Sequence, residues 1–248
     1  MVTRHGRTKR RSGESKDDPS LNGDSVRAMY HQANEALGEF VINEAIGAED
    51  IFIDYSGLQR TLHTARARVA GAFGLRPIPR RQEDVLGVPV NTVGLDKILG
   101  FEDLKYEEYA YAADEKGYVA KWVANPNVNR LPGGNGDVTP FNQVVSSRAS
   151  YLDYIIKRMT HGNSRFGVVA THSGVIEASA VAAVNSGRDE VGVERVDEIG
   201  GPFDRENFYL IYLDPRGSGN YEARYVRGKL ECPMDFDNLR VIAGGSRR

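Results

Sequence analysis

Between Asp24 and Phe40 the apolar residues fall at Val26, Met29, Tyr30, Ala33, Leu37 and Phe40, the three-and-four spacing of an amphipathic helix. The period then shortens. Residues 50–56 read DIFIDYS, an apolar, β-branched run that predicts a strand. Helical spacing returns from Leu58 through Leu62, Ala65, Val69, Ala72 and Phe73, with Gly74 as a stop signal. Residues 76–100 are rich in Pro, Gly and Val, lack a clear period, and read as an extended insertion. Helix is expected over 104–122, a dense loop over 125–140, and helix again from Phe141 through Val144, Val145, Leu152, Ile155, Ile156 and Met159. RFGVVATH (165–172) has the pattern of a buried strand, and Gly174–Asn185 that of the helix after it. NFYLIYLD (207–214) predicts a last strand, followed by PRGSGN as a hairpin turn.

Strands separated by helices of this length predict an α/β fold, a three-layer αβα sandwich around a mostly parallel sheet. The economical organisation is one domain over 1–248, with insertions around 84–100 and 110–135. At 248 residues such a domain buries a sizeable core.

Charge narrows the partners. A net charge of −2 argues against a nucleic-acid binder that relies on bulk positive charge, and Lys9-Arg10-Arg11 is soon offset by Glu14, Asp17 and Asp18. No apolar run approaches bilayer length, so no membrane partner is expected. Arg4, His5 and Arg7 stand where a signal peptide would need apolar residues. The single cysteine, Cys232, cannot close an internal disulfide, and metal-ligand spacing is missing. A reducing, cytoplasmic setting with no metal and no cofactor fits these features.

In an open α/β sheet the residues just past the carboxyl ends of the strands line the active crevice. Three predicted strands end suggestively, in Arg4-His5-Gly6, in Ser56-Gly57-Leu58-Gln59-Arg60, and in Thr171-His172-Ser173-Gly174. Arginine offers a planar fork of donors for phosphate oxygens, and neutral histidine can attack phosphorus. The helix expected after His172 would add N–H groups suited to an anion. Two histidines and two arginines around one anion make a phosphoryl-transfer site that needs no metal. In it His5 would form a phosphohistidine, with Arg4, Arg60, His172 and Ser173 around the oxygens. Met1–Thr3 leaves only a three-residue stub of strand ahead of His5. Either neighbouring strands hold that end, or sequence is missing before it.

These stretches resemble the histidine phosphatase superfamily, the branch of phosphoglycerate mutases and related phosphatases. TRHGRT (3–8) is similar to its signature, and SGLQRTLHTA (56–65) to its Ser-x-Leu-x-Arg-(x)3-Thr-Ala block, with Arg60 at the phosphate-binding arginine. ATHSGVIEA (170–178) is similar to its second-histidine block, LPGGNGDV (131–138) followed by Arg148 to its Pro-Gly-Gly-Glu-Ser stretch, and FEDLKYEEY (101–109) to a helix start. Asn135 departs from the usual Glu and Gly57 from the usual Asp.

The resemblance implies a phosphoglycerate mutase-like fold and a carboxyl group that protonates the leaving oxygen and then activates water. Glu83 is preferred for that role over Asp96, while Glu102 and Glu107 read as a solvated helix face. The Glu-Arg-His-Tyr-Gly block of the mutases is missing, which favours hydrolysis over mutase chemistry. The expected substrate is a small phosphorylated molecule, with a phosphoprotein as an open alternative. A non-catalytic phosphate-binding module and a homodimer are further open readings. His31, His63 and His161 read as ordinary helix or surface residues, and Gly133 and Gly134 as turn glycines rather than a phosphate cradle.

Overall fold

The structure is a computed structural model. It describes residues 1–8, 21–75, 90–91, 105, 110, 113–162, 164–188, 193, 195–216 and 221–244. The fold is mixed α/β, with helices flanking a mostly parallel sheet. Residues group into two compact units, one built from 1–96, 161–172 and 204–208, the other from 97–160, 173–203 and 209–248.

The first unit holds strands β1 (Val2–Arg4), β2 (Ile51–Tyr55), β3 (Val90–Asn91) and β4 (Phe166–Thr171), with helices α1 (Gly23–Asn43) and α2 (Gln59–Ala72). The strands run parallel in the order β3-β2-β4-β1. Both β2 and β4 are buried along their whole length, as strands covered on both faces must be. Strand β1 is short but held from both sides. Val2, Thr3 and Arg4 pair with Val169, Ala170 and Thr171, the N-terminal ammonium donates to Gly167 O at 2.8 Å, and Arg4 N–H donates to Asn207 O at 2.9 Å.

Helix α1 starts where the Asn22 side chain accepts from Asp24 N–H at 3.0 Å. Its buried stripe runs Met29, Ala33, Leu37, Val41 at four-residue steps. Phe40, expected on that stripe, is 37% exposed, because 41 rather than 40 continues the 33–37 row. Helix α2 packs on α1 and on the parallel strands. Its buried face includes Arg68, which is 0% exposed.

The second unit contains α3 (Glu115–Ala124), α4 (Phe141–His161, reaching the unit's edge), α5 (Val175–Ser186), α6 (Phe236–Ile242), and strands β5 (Phe208–Pro215), β6 (Tyr221–Arg227) and β7 (Leu230–Met234). Strand β5 pairs antiparallel with β6, and β6 with β7; of the turn expected at 215–220, residues 217–220 lie outside the described residues. Of the helix expected over 104–122, the described residues carry α3, capped by Asp114 accepting from Gly117 N–H at 3.0 Å. Trp122 anchors it by donating to Thr139 O at 2.8 Å and meeting Phe141 edge-on. Helix α5 is buried along its whole length, which explains why its sequence is apolar all round.

Candidate active site

Strands β1 and β4 lie side by side with Arg4 opposite Thr171, so the next residues of each, His5 and His172, leave the sheet at the same level. The His5 N–H donates to Thr171 O at 3.0 Å and locks that level. The two imidazoles meet edge to face with ring centroids 5.0 Å apart.

The loop after β1 is strapped in place. Gly6 N–H donates to Thr64 Oγ1 at 3.2 Å, and Arg7 N–H to Ser25 Oγ at 2.7 Å. Arg7 O accepts from Asn22 N–H at 2.7 Å. Glycine is required at 6 by close approach: a Cβ there would sit 2.3 Å from Ser25 Oγ. Gly57, in the turn from β2 into α2, has φ 76°, a left-handed conformation that side chains other than Asn or Asp rarely adopt. That turn sets Arg60 in the first turn of α2.

Arg4 and Arg60 act on both rings. Burial lowers the His5 pKa to about 4, partly opposed by the hydrogen bond to Gly6 O and reinforced by the charges of Arg60, Arg4 and Arg205. His172 is held well below its ordinary value by burial, then by His5, Arg60 and Arg4. Both imidazoles are therefore neutral near pH 7.

Hydrogen bonding settles which nitrogen of His5 carries the proton. Its Nδ1 lies 2.8 Å from Gly6 O, and a carbonyl only accepts. Nδ1 is protonated, and the lone pair is on Nε2. A neutral imidazole with its lone pair on Nε2, beside two guanidinium groups and a second imidazole, is equipped to attack phosphorus and hold phosphoryl oxygens. These side chains come from the stretches whose sequence likeness is to the histidine phosphatases.

Four of the residues carrying that likeness, Arg4, His5, Arg60 and His172, thus come together in the first unit. Ser173 falls in the second unit, in the turn before α5. The N-terminus of α5 is less open to an anion than expected: the Glu177 carboxylate already accepts from Gly174 N–H at 2.5 Å and from Phe203 N–H at 3.1 Å. Arg148 is buried in the second unit, donates to Ser147 Oγ at 2.8 Å, and has its pKa lowered to about 9 by burial. Glu83, Asp96, Glu102 and Glu107 lie outside the described residues. Among the described residues no group of three or more His, Cys, Asp or Glu side chains is placed to hold a metal ion, and no helix is long and apolar enough to cross a membrane. His63 is half-buried on α2, His31 packs edge-on against Tyr30, and His161 is exposed at the end of α4.

Several site residues escaped sequence reasoning. Arg205 sits in the turn 204–207, whose Asn207 O accepts from Arg4 N–H, and its charge reaches His5. Arg68 holds that turn, donating to Glu206 O as well as to Met29 O (2.9 Å), Gln32 Oε1 (2.9 Å) and Thr3 Oγ1 (3.3 Å). Glu206 has φ 73°, unusual for a side-chain-bearing residue, and its carboxylate accepts from Ser25 Oγ. Ser56 and Thr61 stand inside a stretch the histidine phosphatase resemblance covers. The bond of Ser56 to His172 joins segments 116 residues apart, which no local pattern reports.

No family model matches the chain, and no curated protein matches it in sequence. Among solved structures it is similar to a mycobacterial glucosyl-3-phosphoglycerate phosphatase (TM-score 0.49, 16% identity, 91% of this chain and 95% of that one). The same phosphatase with VO3 gives TM-score 0.48 and 18% identity, over 91% of this chain and 96% of that one. A phosphoglycerate mutase from Bacillus anthracis gives TM-score 0.40 and 12% identity, over 97% of this chain and 94% of that one. At these values the likeness does not bear on the reaction.

Proposed function

We propose that this chain is a histidine phosphatase that hydrolyses phosphomonoesters through a phosphohistidine on His5, with guanidinium groups rather than a metal supplying the positive charge. The observation that carries this reading is the Nδ1 contact of His5 with Gly6 O at 2.8 Å, which directs the lone pair to Nε2 beside Arg4, Arg60 and His172.

In the first step His5 Nε2 attacks phosphorus, a P–N bond forms, and the P–O ester bond breaks. The leaving oxygen takes its proton from a carboxyl group, Glu83 in preference to Asp96. In the second step that carboxylate removes a proton from water, whose oxygen attacks phosphorus. The P–N bond breaks, inorganic phosphate leaves, and His5 is neutral again. Arg4 and Arg60 hold the equatorial oxygens, where charge accumulates in both transition states. The substrate class is a small phosphorylated molecule.

The test is rapid quenching of the enzyme with p-nitrophenyl phosphate, alongside an assay of 3-phosphoglycerate for mutase activity. The expected result is acid-labile phosphate on the protein and hydrolysis without mutase turnover. His5→Ala is expected to lose both the phosphoenzyme and about a thousandfold or more of kcat. Full phosphatase activity in His5→Ala would end this reading.

A further inference from the structure

The ring of His172 is tied to two hydroxyls from another part of the chain. Its Nε2 lies 2.6 Å from Ser56 Oγ, Ser56 Oγ lies 3.1 Å from Thr61 Oγ1, and Thr61 Oγ1 lies 2.7 Å from Leu58 O. All of these atoms belong to the first unit, and both hydroxyls are buried, Ser56 at 8% exposure and Thr61 at 0%.

Counting protons along this line has one solution. Leu58 O is a carbonyl and only accepts, so the single Thr61 hydroxyl proton points to it. Thr61 Oγ1 is then the acceptor of its contact with Ser56, which uses the single Ser56 proton. Ser56 Oγ is left as an acceptor, and His172 Nε2 must donate to it. Were the proton of His172 on Nδ1 instead, Ser56 would have to donate to Nε2. The Ser56–Thr61 contact would then hold two oxygens with no proton between them.

We infer that Ser56 and Thr61 form a hydroxyl relay that fixes the proton of His172 on Nε2 and so makes Nδ1 the nitrogen through which this histidine exchanges a proton with the phosphoryl group. The relay rests on the proposed phosphatase reading for its purpose, though not for its existence. His172 is neutral, buried among His5, Arg4 and Arg60. Arrival of a phosphate dianion favours the charged imidazole. With Nε2 already protonated, a proton brought by the monoanion form of the phosphoryl group passes to Nδ1, leaving the dianion, and Nδ1–H then donates to a phosphoryl oxygen. No bond to phosphorus is made by this residue. Ser56 and Thr61 are positioning residues, since each acts through His172.

The arrangement also accounts for the turn that carries it. The positive φ of Gly57 and the start of α2 bring Ser56 and Thr61, five residues apart in sequence, within hydrogen-bond distance. One short segment therefore supplies both Arg60 for the oxygens and the relay for His172.

The experiment is ¹⁵N NMR of the imidazole nitrogens in the full-length protein, with His172 assigned by loss of its signals in His172→Asn. In the wild type without phosphate, Nε2 is expected to be the protonated nitrogen and Nδ1 the unprotonated one. Thr61→Val keeps shape and burial but removes the acceptor for Ser56. It frees the Ser56 proton to point at His172, so the tautomer is expected to shift towards Nδ1–H although Ser56 is untouched. Ser56→Ala is expected to give a mixture of tautomers and lower kcat about tenfold to a hundredfold with a smaller change in KM, the cost of one hydrogen bond to a charged group. Ser56→Thr, which keeps the hydroxyl, is expected to restore the wild-type tautomer. Nδ1–H as the main tautomer of the wild type would overturn the relay, as would an unchanged Nε2–H signal in Thr61→Val. The NMR outcome is independent of turnover: the relay can stand in a protein that hydrolyses nothing, and an active phosphatase can lack it.

Discussion

His5 and His172 lie edge to face, 5.0 Å between ring centroids, at the ends of neighbouring parallel strands, and each lowers its own basicity by being buried there. Adjacent strands are about 4.8 Å apart, so the sheet itself sets the spacing of the two rings. The arginines then share one pocket with both, and the consequences can be measured.

The acid limb of kcat/KM that reports His5 in the free protein is expected near its shifted value of about 4 rather than near 6.5. Arg205→Gln removes one of the charges that disfavour the imidazolium, so the His5 pKa is expected to rise. Proton NMR titration of the His5 ring in both proteins checks the shift and its sign. An unchanged pKa would remove Arg205 from the site.

Stability should fall in mild acid. The folded His5 pKa, about 4, lies below the ordinary 6.5, so between those values the unfolded chain binds a proton that the folded chain refuses. The stabilisation is intact above pH 6.5 and is lost progressively as pH falls towards 4, by roughly 3 kcal/mol at most for this residue. His172 acts in the same direction. Urea midpoints measured across this window are expected to drop less steeply in His5→Asn than in the wild type.

Arg68 is the clamp on which the 204–207 turn depends. Arg68→Met keeps an apolar stem but removes the guanidinium, which lies over the Phe208 ring 4.7 Å from its centroid, and abandons the acceptors at Thr3, Met29, Gln32 and Glu206 in a buried place. The expected cost is on the order of 3 kcal/mol, read as a lower denaturation midpoint. Because the turn carries Arg205 and the Asn207 carbonyl that holds β1, phosphate affinity is expected to fall as well.

Gly57→Ala is expected to destabilise by about 1 kcal/mol or more, since alanine resists the left-handed conformation. Gly57→Asn, with better access to that conformation, is expected to recover most of the loss. The comparison of the two midpoints separates backbone strain from a change in polarity, and kcat in the same pair reports how closely Ser56 and Arg60 depend on this turn.

Much of the first unit was legible because its elements carry strong local periods. The strand at 51–55, the helix from 59 to 72 and the strand at 166–171 fall where the apolar spacing puts them. Arg68 was not legible in its role: at helical spacing it reads as one more charged position, and only the packing of α1 over α2 turns that face inward. Strands β6 and β7 were not named beforehand either, because alternating exposure and several charges, as in Tyr221–Arg227, give a weaker signal than a fully buried run.

The chain by itself determined which chemical groups stand at the ends of which elements: Arg4 and His5 at the end of β1, Ser56 and Arg60 around the β2–α2 turn, His172 after β4. Those placements follow from local propensity and from the rule that strand ends face the crevice. Only the tertiary structure decided that β4 lies between β2 and β1, that both imidazoles lose their charge, and which nitrogen of each ring carries the proton. The reason is physical. The pairing of β1 with β4 that buries both rings, and the contact of His172 Nε2 with Ser56, join segments more than a hundred residues apart, and no window along the chain contains both members of such a pair. The Gly6 carbonyl beside His5 is local in sequence, but its loop is held by Thr64 and Ser25 from α2 and α1.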